Sequence, residues 1–494
     1  MISLSADILW TIFIINAADN ATNMRDRLVS TRAASQTCQH WRDVALSHPL
    51  IWSKLILISD QHSFEWSKMI IDRAGDTSPL WVEAKITFSN CGPIETLFVD
   101  VLHRFWERIQ SLHVDTSYSY SAILPHLHRP APILRSFSIY HGEHEYMVSR
   151  YLPQNLFADE APLLRIFTCS QFRILQPPNW ISTLTTLNIY PVSFENLIKV
   201  LSECTHALQV LRIYRPKNYV ELHCHDTVSQ ALSDMSNFIL PRLAHIEAAM
   251  SFAAFNALWS TQSTSPAESS THISVSFSSS SLEPIQHQHR RDFRTAIHNL
   301  FHHQTGLSSY TPDMQWQFTI SESRLCIKVT SSSLELNFSV FFLWESWARS
   351  THVYRFLTKS LQPYIDNVFH INLDMMSPNL PGYILQYFFE ILASMNRVAM
   401  VTLSGNFIAS CNTIEAGSQQ PLFPKLERLY CNSQVIGENG YIYDLITFLD
   451  RRISIGRALP TLIMTDKGNY INEVSNKLSS ILGLQIVHIP DEIS

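Results

Sequence analysis

A short apolar pattern recurs along most of this chain and limits its possible folds more than any other feature. Each copy has an apolar residue, two variable residues, a second apolar residue, one variable residue and a third apolar residue. Alternation at the last positions is typical of a strand with one buried face. Within each half of the chain, successive central residues lie 20 to 35 residues apart. The ten copies are Ile109/Leu112/Val114, Leu134/Phe137/Ile139, Leu164/Phe167/Cys169, Leu184/Leu187/Ile189, Leu208/Leu211/Ile213, Leu243/Ile246/Ala248, Val368/Ile371/Leu373, Val398/Val401/Leu403, Leu426/Leu429/Cys431 and Leu459/Leu462/Met464.

This spacing predicts units that each contain a strand and a return arm. One such unit cannot bury its own apolar face, so neighbouring units must stack on it. Leucine-rich repeats carry a similar core at periods of 20–29 residues. We therefore expect an irregular leucine-rich-repeat solenoid, a horseshoe with one mainly parallel sheet. The polar residue that bonds the turn in regular repeats appears only as Asn406, and an unrelated α/β core stays open as the alternative.

Helical rather than strand periodicity dominates the first eighty residues. Apolar residues at helical spacing predict helices over Ala6–Ala17, Thr31–Leu46 and Phe64–Ala74. The polar stretch Asp19–Arg27 predicts a loop, and a strand is expected over Pro79–Phe88. The N-terminal part is therefore expected to be helical before the repeats begin.

The repeated pattern is interrupted between residues 250 and 350. Residues 260–283 are rich in Ser and Thr and predict a mobile insertion, although Ile273, Val275 and Phe277 within them alternate as in a strand. An amphipathic helix is expected over Arg291–His302. Alternating apolar residues then predict three strands, of which the first two, centred on Phe318 and Ile327, form a hairpin.

Composition excludes several functional classes. The net charge is −6 with a pI near 6.4, whereas nucleic-acid binders are usually basic. The short basic clusters Arg451-Arg452 and His289-Arg290-Arg291 are interpreted as solvated faces, since phosphate binding draws on several spread contacts. Only 12 glycines are present, which disfavours dinucleotide-binding domains built on glycine loops. The sequence contains no uninterrupted apolar run of about 18 residues, so no membrane span is predicted. Eight dispersed cysteines without a CxxC pair favour a reduced, intracellular protein, in the cytoplasm or nucleus.

Motifs for catalysis and for metal binding are missing from the sequence. It contains no GxSxG, GxxxxGK[ST], GxGxxG or HExxH pattern. In a strand, His223-Cys224-His225 would point to opposite faces, and His298 with His302 is a pair that chance alone can supply among 22 histidines. We predict no catalytic residue, no metal and no cofactor. A dispersed Ser-His-Asp site stays open because its members need not be close in sequence.

Two N-terminal segments resemble an F-box. Leu4–Phe13 reads L-S-A-D-I-L-W-T-I-F, similar to the opening helix of that motif. Cys38–Trp52 keeps the order C-x-x-W-R-x-x-A-x-x-x-P-x-x-W, which resembles its ending. Trp66–Leu80 resembles the segment that follows the F-box in the large F-box family of mushroom-forming fungi. The resemblance is close over residues 4–58 and weaker over 59–90.

The resemblance implies an adaptor of a Skp–cullin–F-box ubiquitin ligase. A small helical F-box, residues 1–58, would dock on the Skp linker protein and through it on a cullin. Residues 59–100 would form a connector and cap, and residues 101–494 the repeat domain that selects an unknown protein substrate, at positions such as those beside Leu211 and Leu429. No contact with nucleic acid or membrane is implied. The alternative is a leucine-rich-repeat interaction scaffold with a decayed F-box, because Leu4-Ser5 replaces the usual Leu-Pro.

The resemblance also assigns residues to the partner site and to the F-box core. Free apolar groups at the surface of a small helical unit usually mark a partner site. The expected core residues are Cys38 and Trp41. The expected contacts with the Skp linker are Leu4, Ile8, Leu9, Ile12, Phe13, Leu50 and Trp52.

Overall fold

The chain forms two compact units. Unit one contains Met1–Leu222 and Ser229–Leu243, and unit two contains His223–Val228 and Ala244–Ser494. The computed structural model describes residues 4–19, 22–59, 64–86, 92–116, 123–141, 155–172, 177–191, 194–204, 207–214, 240, 242–249, 255–256, 271–279, 291, 294–296, 298, 315–320, 324–330, 334–342, 359–365, 368–375, 382–404, 407–410, 412, 422–432, 441–466, 471–479, 481 and 483–490.

Unit one opens with four short helices whose ends are set by local polar groups. The Ser5 hydroxyl accepts a hydrogen bond from the Ile8 amide, and Asn23 Oδ1 accepts from the Asp26 amide at 2.9 Å. Each side chain thereby caps the start of a helix. The predicted first helix is confirmed, whereas the predicted Asp19–Arg27 loop already contains the start of a second helix. The helices are α1 (Ala6–Ala18), α2 (Met24–Ser35), α3 (Gln39–Ser47) and α4 (Pro49–Ser53).

Buried polar contacts fix α1 against α2. Asn16 Nδ2 donates to Thr31 Oγ1 at 2.7 Å, and an Arg27 guanidinium nitrogen donates to the Ala17 carbonyl oxygen at 2.9 Å. Burial lowers the pKa of Arg27, although the charges of Glu83 and Asp19 oppose that shift. The guanidinium thus donates a hydrogen bond to a backbone carbonyl at the end of α1 that has no hydrogen-bond partner within the helix.

The strands of unit one form a parallel sheet. Neighbours along the chain pair with each other, and the central apolar residues of the repeated pattern align, as Leu112 with Phe137 and Phe137 with Phe167. Every apolar residue of the ten repeated copies is buried in its own unit. The strands are β1 (Ile56–Ser59), β2 (Leu80–Ile86), β3 (Ile109–Thr116), β4 (Ser136–His141), β5 (Ile166–Phe172), β6 (Thr186–Pro191) and β7 (Val210–Ile213).

The connections between these strands differ from one another. The helix predicted over Phe64–Ala74 is confirmed, and Gly75 follows it at φ +64°, a value that favours glycine. Short 3₁₀ turns occur at Trp106–Arg108, Leu156–Asp159 and Asn179–Thr183. The longer connections contain α5 (Phe64–Arg73), α6 (Pro93–Phe105), α7 (Leu124–Leu127) and α8 (Phe194–Glu203).

The sheet of unit two is also largely parallel but contains one reversed strand. The pairings give the order β8-β9-β12-β11-β10-β13-β14-β15-β16-β17, in which β11 is antiparallel to both neighbours. The predicted hairpin of the first two alternating segments is confirmed as β10 and β11. The strands are β8 (His245–Ala249), β9 (Thr271–Ser279), β10 (Gln315–Ile320), β11 (Arg324–Thr330), β12 (Leu334–Phe342), β13 (His370–Met375), β14 (Met400–Leu403), β15 (Arg428–Asn432), β16 (Thr461–Asp466) and β17 (Gln485–Pro490).

Several sequence predictions fall on unit two. Strand β9 lies within the predicted mobile Ser/Thr-rich insertion and pairs with β8 and β12. Most of the helix predicted over Arg291–His302 lies outside the described residues. The described helices include α9 (Gly382–Ser394), α10 (Ile442–Ser454) and α11 (Ile471–Leu478). None of the helices in the described part of the chain has the length and apolar run that crossing a bilayer requires.

This architecture overturns the predicted fold class. Residues 1–58 are not a separate helical F-box domain, because α1–α4 belong to the same compact unit as β1–β7 and β1 begins within the predicted domain. The later strands are not one leucine-rich-repeat solenoid, because the chain divides near residue 243 and the second sheet contains a reversed strand. The chain is an α/β protein with largely parallel sheets. Apolar spacing specifies which side of a strand is buried, but it does not specify strand order or where one unit ends.

A buried arginine corrects a further prediction. Arg452 was expected on a solvated face, yet its side chain is buried in unit two. Its two terminal nitrogens donate to the carbonyl oxygens of Leu422 at 2.7 Å and Phe423 at 3.2 Å. Phe423 has φ +53°, a conformation that is costly for a side chain of this size. The arginine therefore stabilises a strained segment from within α10.

We expect Arg452→Leu to destabilise α10 and its contact with residues 422–423 by about 2–6 kcal/mol. The substitution removes the arginine donor from two buried carbonyl groups, and each such loss costs about 1–3 kcal/mol. Hydrogen exchange of the α10 amides measures the change. Arg451→Leu is the matched control, because its half-buried side chain should shift exchange by no more than about 0.5 kcal/mol. Equal effects of the two substitutions would contradict this role of Arg452.

Candidate partner-binding site

The outer side of α1 carries a continuous row of exposed apolar side chains. Leu4, Ile8, Ile12 and Ile15 are 38%, 51%, 42% and 65% exposed. Ile8, Ile12 and Ile15 follow one another at spacings of four and three residues, which places them on one side of α1, and Leu4 lies just before the start of that helix. We call these four residues the α1 apolar stripe. None of the four side chains is charged, so their exposure to water is energetically unfavourable.

The inner side of the same helix is equally apolar. Leu9, Phe13 and Ala17 are buried in unit one, and Phe13 meets the ring of Trp41 edge-on with centroids 6.0 Å apart. A helix that is apolar all round normally has both sides covered. Because the described residues of unit one cover only the inner side, the α1 apolar stripe has the properties of a surface that another protein covers.

Contacts from Trp10 and from the backbone of Leu4 to histidine side chains hold α1 in place. The Trp10 and His48 rings lie 6.1 Å apart, which connects α1 to the turn between α3 and α4. His40 Nε2 lies 3.1 Å from the Leu4 carbonyl oxygen, within hydrogen-bond distance. These contacts join the start and the middle of this segment to α3 and to the residue that follows it. The stripe is therefore attached to a formed core before any partner arrives.

The predicted partner residues divide into two groups. Leu4, Ile8 and Ile12 are exposed, as a partner site requires. Leu9, Phe13 and Trp52 are each at most 1% exposed, and Leu50 is half-buried. A partner cannot reach the three buried residues in this structure, because they form the core between the helices. Trp52 additionally donates from Nε1 to the Ala45 carbonyl oxygen at 2.7 Å.

The two predicted core residues also differ. Trp41 is half-buried against Phe13, in keeping with a core role. The prediction for Cys38 is wrong, because its side chain is exposed at the start of α3. Buried thiols occur elsewhere, and burial raises the pKa of Cys431 to about 12. The physical reason is that Cys38 lies one residue before the helix, where its side chain faces away from the packed side.

Sequence reasoning missed one member of the α1 apolar stripe. Ile15, which is 65% exposed, continues the row from Ile12. The signal was present in the sequence, because Ile15 follows Ile12 and Ile8 at helical spacing. It was missed because the motif comparison ended at Phe13.

Other candidate sites receive no support from the described residues. Within them, no group of three or more His, Cys, Asp or Glu side chains could hold a metal ion. His298 Nδ1 lies 3.1 Å from the Tyr364 hydroxyl oxygen, while His302 and the sequence His223-Cys224-His225 lie outside the described part of the chain. In comparisons with known proteins, no protein-family model matches the chain, and no characterised protein matches it with significance.

Proposed function

We propose that this protein is a substrate-recruiting adaptor of a Skp–cullin–F-box ubiquitin ligase and that it binds the Skp linker protein through the α1 apolar stripe. The remainder of the chain would bind a protein substrate, and ubiquitin transfer would be carried out by the partner enzymes. The observation that carries the proposal is the exposure of Ile8, Ile12 and Ile15 in one row on a helix whose other side is already packed, with Leu4 exposed just before that helix.

The energetics of this row support a protein partner. Burying a large aliphatic side chain is worth roughly 1.5–3 kcal/mol. Since the four side chains are 38–65% exposed in the free chain, they provide roughly 3–6 kcal/mol before the costs of association are subtracted, which makes them anchors of the proposed contact. Helix faces with anchors at these spacings commonly dock against apolar grooves of a partner.

The sequence resemblance indicates which protein we propose as the partner. Leu4, Ile8 and Ile12 belong to the segment that resembles the opening helix of an F-box, a small helical unit that docks on the Skp linker in that family. The resemblance concerns the segment and not the overall architecture. Burial of Leu9, Phe13 and Trp52 restricts the proposed contact to the outer side of α1.

Binding of the full-length chain to purified Skp linker protein tests the proposal. We expect a one-to-one complex by size-exclusion chromatography and micromolar or tighter affinity by isothermal titration calorimetry. Circular dichroism verifies that the chain is folded. Failure of a folded chain to bind at about 100 μM linker would overturn the adaptor role and favour an interaction scaffold without ligase function.

A further inference from the structure

Two histidines and an arginine meet between the end of α6 and α7 in unit one. The ring of His103, near the end of α6, meets the ring of His126, within α7, edge-on with centroids 6.0 Å apart. A terminal nitrogen of Arg129, two residues after α7, lies 3.2 Å from His126 Nδ1. The same nitrogen donates to the Leu102 carbonyl oxygen on α6. We call His103, His126 and Arg129 the histidine–arginine cluster.

The contact between Arg129 and His126 specifies the protonation state of the imidazole. A guanidinium group has five donors and no acceptor, so the nitrogen that faces it must accept the hydrogen bond. His126 Nδ1 accepts only when it carries no proton, which requires a neutral imidazole with its proton on Nε2. The hydrogen bond therefore exists in the neutral form of His126 and is lost in the imidazolium form.

The surroundings of His126 also oppose its positive form. Its side chain is half-buried, and burial, followed by the charge of Arg129 and the effect of His103, lowers the pKa of His126. Arg129 Nε is buried without a hydrogen-bond partner among the described residues, and the guanidinium carbon lies 5.5 Å from the centroid of the Trp106 ring. Because partly buried charges are screened less than exposed ones, an imidazolium beside this guanidinium is unfavourable.

Carboxylates on the neighbouring elements do not offset this effect. Asp100 on α6 pairs with Arg104 at 3.3 Å. The other carboxylates near the ends of these elements are exposed, so solvent screens their charges: Glu107 in the turn after α6, and Asp159 and Glu160 at the turn that packs against α7. Arg129 and His103 are therefore the charged and titratable neighbours that act on His126.

We infer that the histidine–arginine cluster is an acid-sensitive contact, in which protonation of His126 breaks its hydrogen bond with Arg129 and loosens the attachment of α7 to the end of α6. Arg129 is the link, because it also holds the Leu102 carbonyl. The folded chain resists protonation of His126 more than the unfolded chain, in which the pKa is about 6.5. The stabilisation is therefore complete at neutral pH and decreases as the pH falls below about 6.5. None of these residues belongs to the α1 apolar stripe, so the inference is independent of the proposed adaptor function.

Hydrogen exchange of the full-length chain at pH 7.5 and pH 5.0, corrected for the intrinsic exchange rate, tests this inference. The reporters are the amides of Leu127 and Arg129, which are hydrogen-bonded within this segment. Between the two pH values, we expect their opening equilibrium to rise at least about threefold more in the parent than in His126→Asn, since one pKa unit corresponds to a factor of ten. The Asn side chain retains an acceptor oxygen but does not titrate. An equal rise in both proteins would overturn the inference.

A control variant and a direct titration locate the effect. His128→Asn is the matched control, because His128 is exposed two residues further along the chain, and this variant should keep the full pH response of the parent. Loss of the response in His128→Asn would overturn the assignment to His126. Titration of the parent by NMR, with the His126 resonance identified by its absence in His126→Asn, gives an independent measurement that needs no folded variant of Arg129. A His126 pKa at or above about 6.5 would overturn the inference.

Discussion

Replacing Ile8 and Ile12 together by aspartate is expected to lower affinity for the Skp linker by about 100-fold or more. Ile8 and Ile12 are 51% and 42% exposed in the α1 apolar stripe, so each contributes roughly 0.8–1.5 kcal/mol when a partner buries the remainder. Loss of both therefore removes at least about 1.5 kcal/mol, which is roughly tenfold because every 1.4 kcal/mol is a factor of ten. The two new carboxylates would also have to be desolvated at the contact, which accounts for the further factor of about ten or more. Calorimetry with purified linker protein measures the difference.

The control for this result is the same chemical change elsewhere on the helical segment. Val29 on α2 is 55% exposed and is not part of the stripe. Val29→Asp should leave the affinity within about twofold, and circular dichroism of both variants should match the parent. If the stripe variant retains the parental affinity while remaining folded, the contact lies elsewhere. If Val29→Asp is equally harmful, the loss reflects general repulsion instead of contact by α1.

Local structure was largely predictable because it depends on nearby residues. Apolar spacing placed α1 and α5, and alternation placed the hairpin of β10 and β11. The repeated pattern located its strands because a strand with one buried side must alternate. Each of these inferences uses residues within about a dozen positions of one another.

Architecture was not predictable to the same degree. The same alternating pattern is compatible with several strand orders, and nothing in it shows that the chain divides into two units near residue 243. Strand β9 lies in a Ser/Thr-rich segment, where composition favoured a loop. Its place between β8 and β12 depends on pairing with distant residues. Long-range pairing of this kind is determined by the whole sheet and leaves little trace in local sequence.

The candidate site was predictable in position but not in detail. The N-terminal motif indicated α1, yet it could not separate outward Ile8 from inward Leu9, because both are apolar and both match the pattern. Helical geometry separates them once the packed side is known.

The largest loss of stability is expected for Phe137→Ala. Phe137 is fully buried at the centre of a repeated copy, and its ring lies 5.7 Å from that of Phe167 and 5.1 Å from that of Phe157. Truncation removes an aromatic side chain from a packed site, which typically costs about 3–5 kcal/mol. The loss should be concentrated in unit one, because both ring partners belong to it. Hydrogen exchange resolved by residue measures it there.

Ile166→Ala separates this packing effect from a general weakening of the sheet. Ile166 lies on β5 one residue before Phe167, but its side chain is 39% exposed. The Ile166→Ala substitution is therefore expected to lower the free energy of unfolding by no more than about 1 kcal/mol, although Ile166 lies on a strand that pairs directly with β4. Comparable losses for the two substitutions would mean that stability follows strand propensity, not burial. A much larger loss for Phe137→Ala would show that the repeated apolar positions stabilise the sheet through the core that they share.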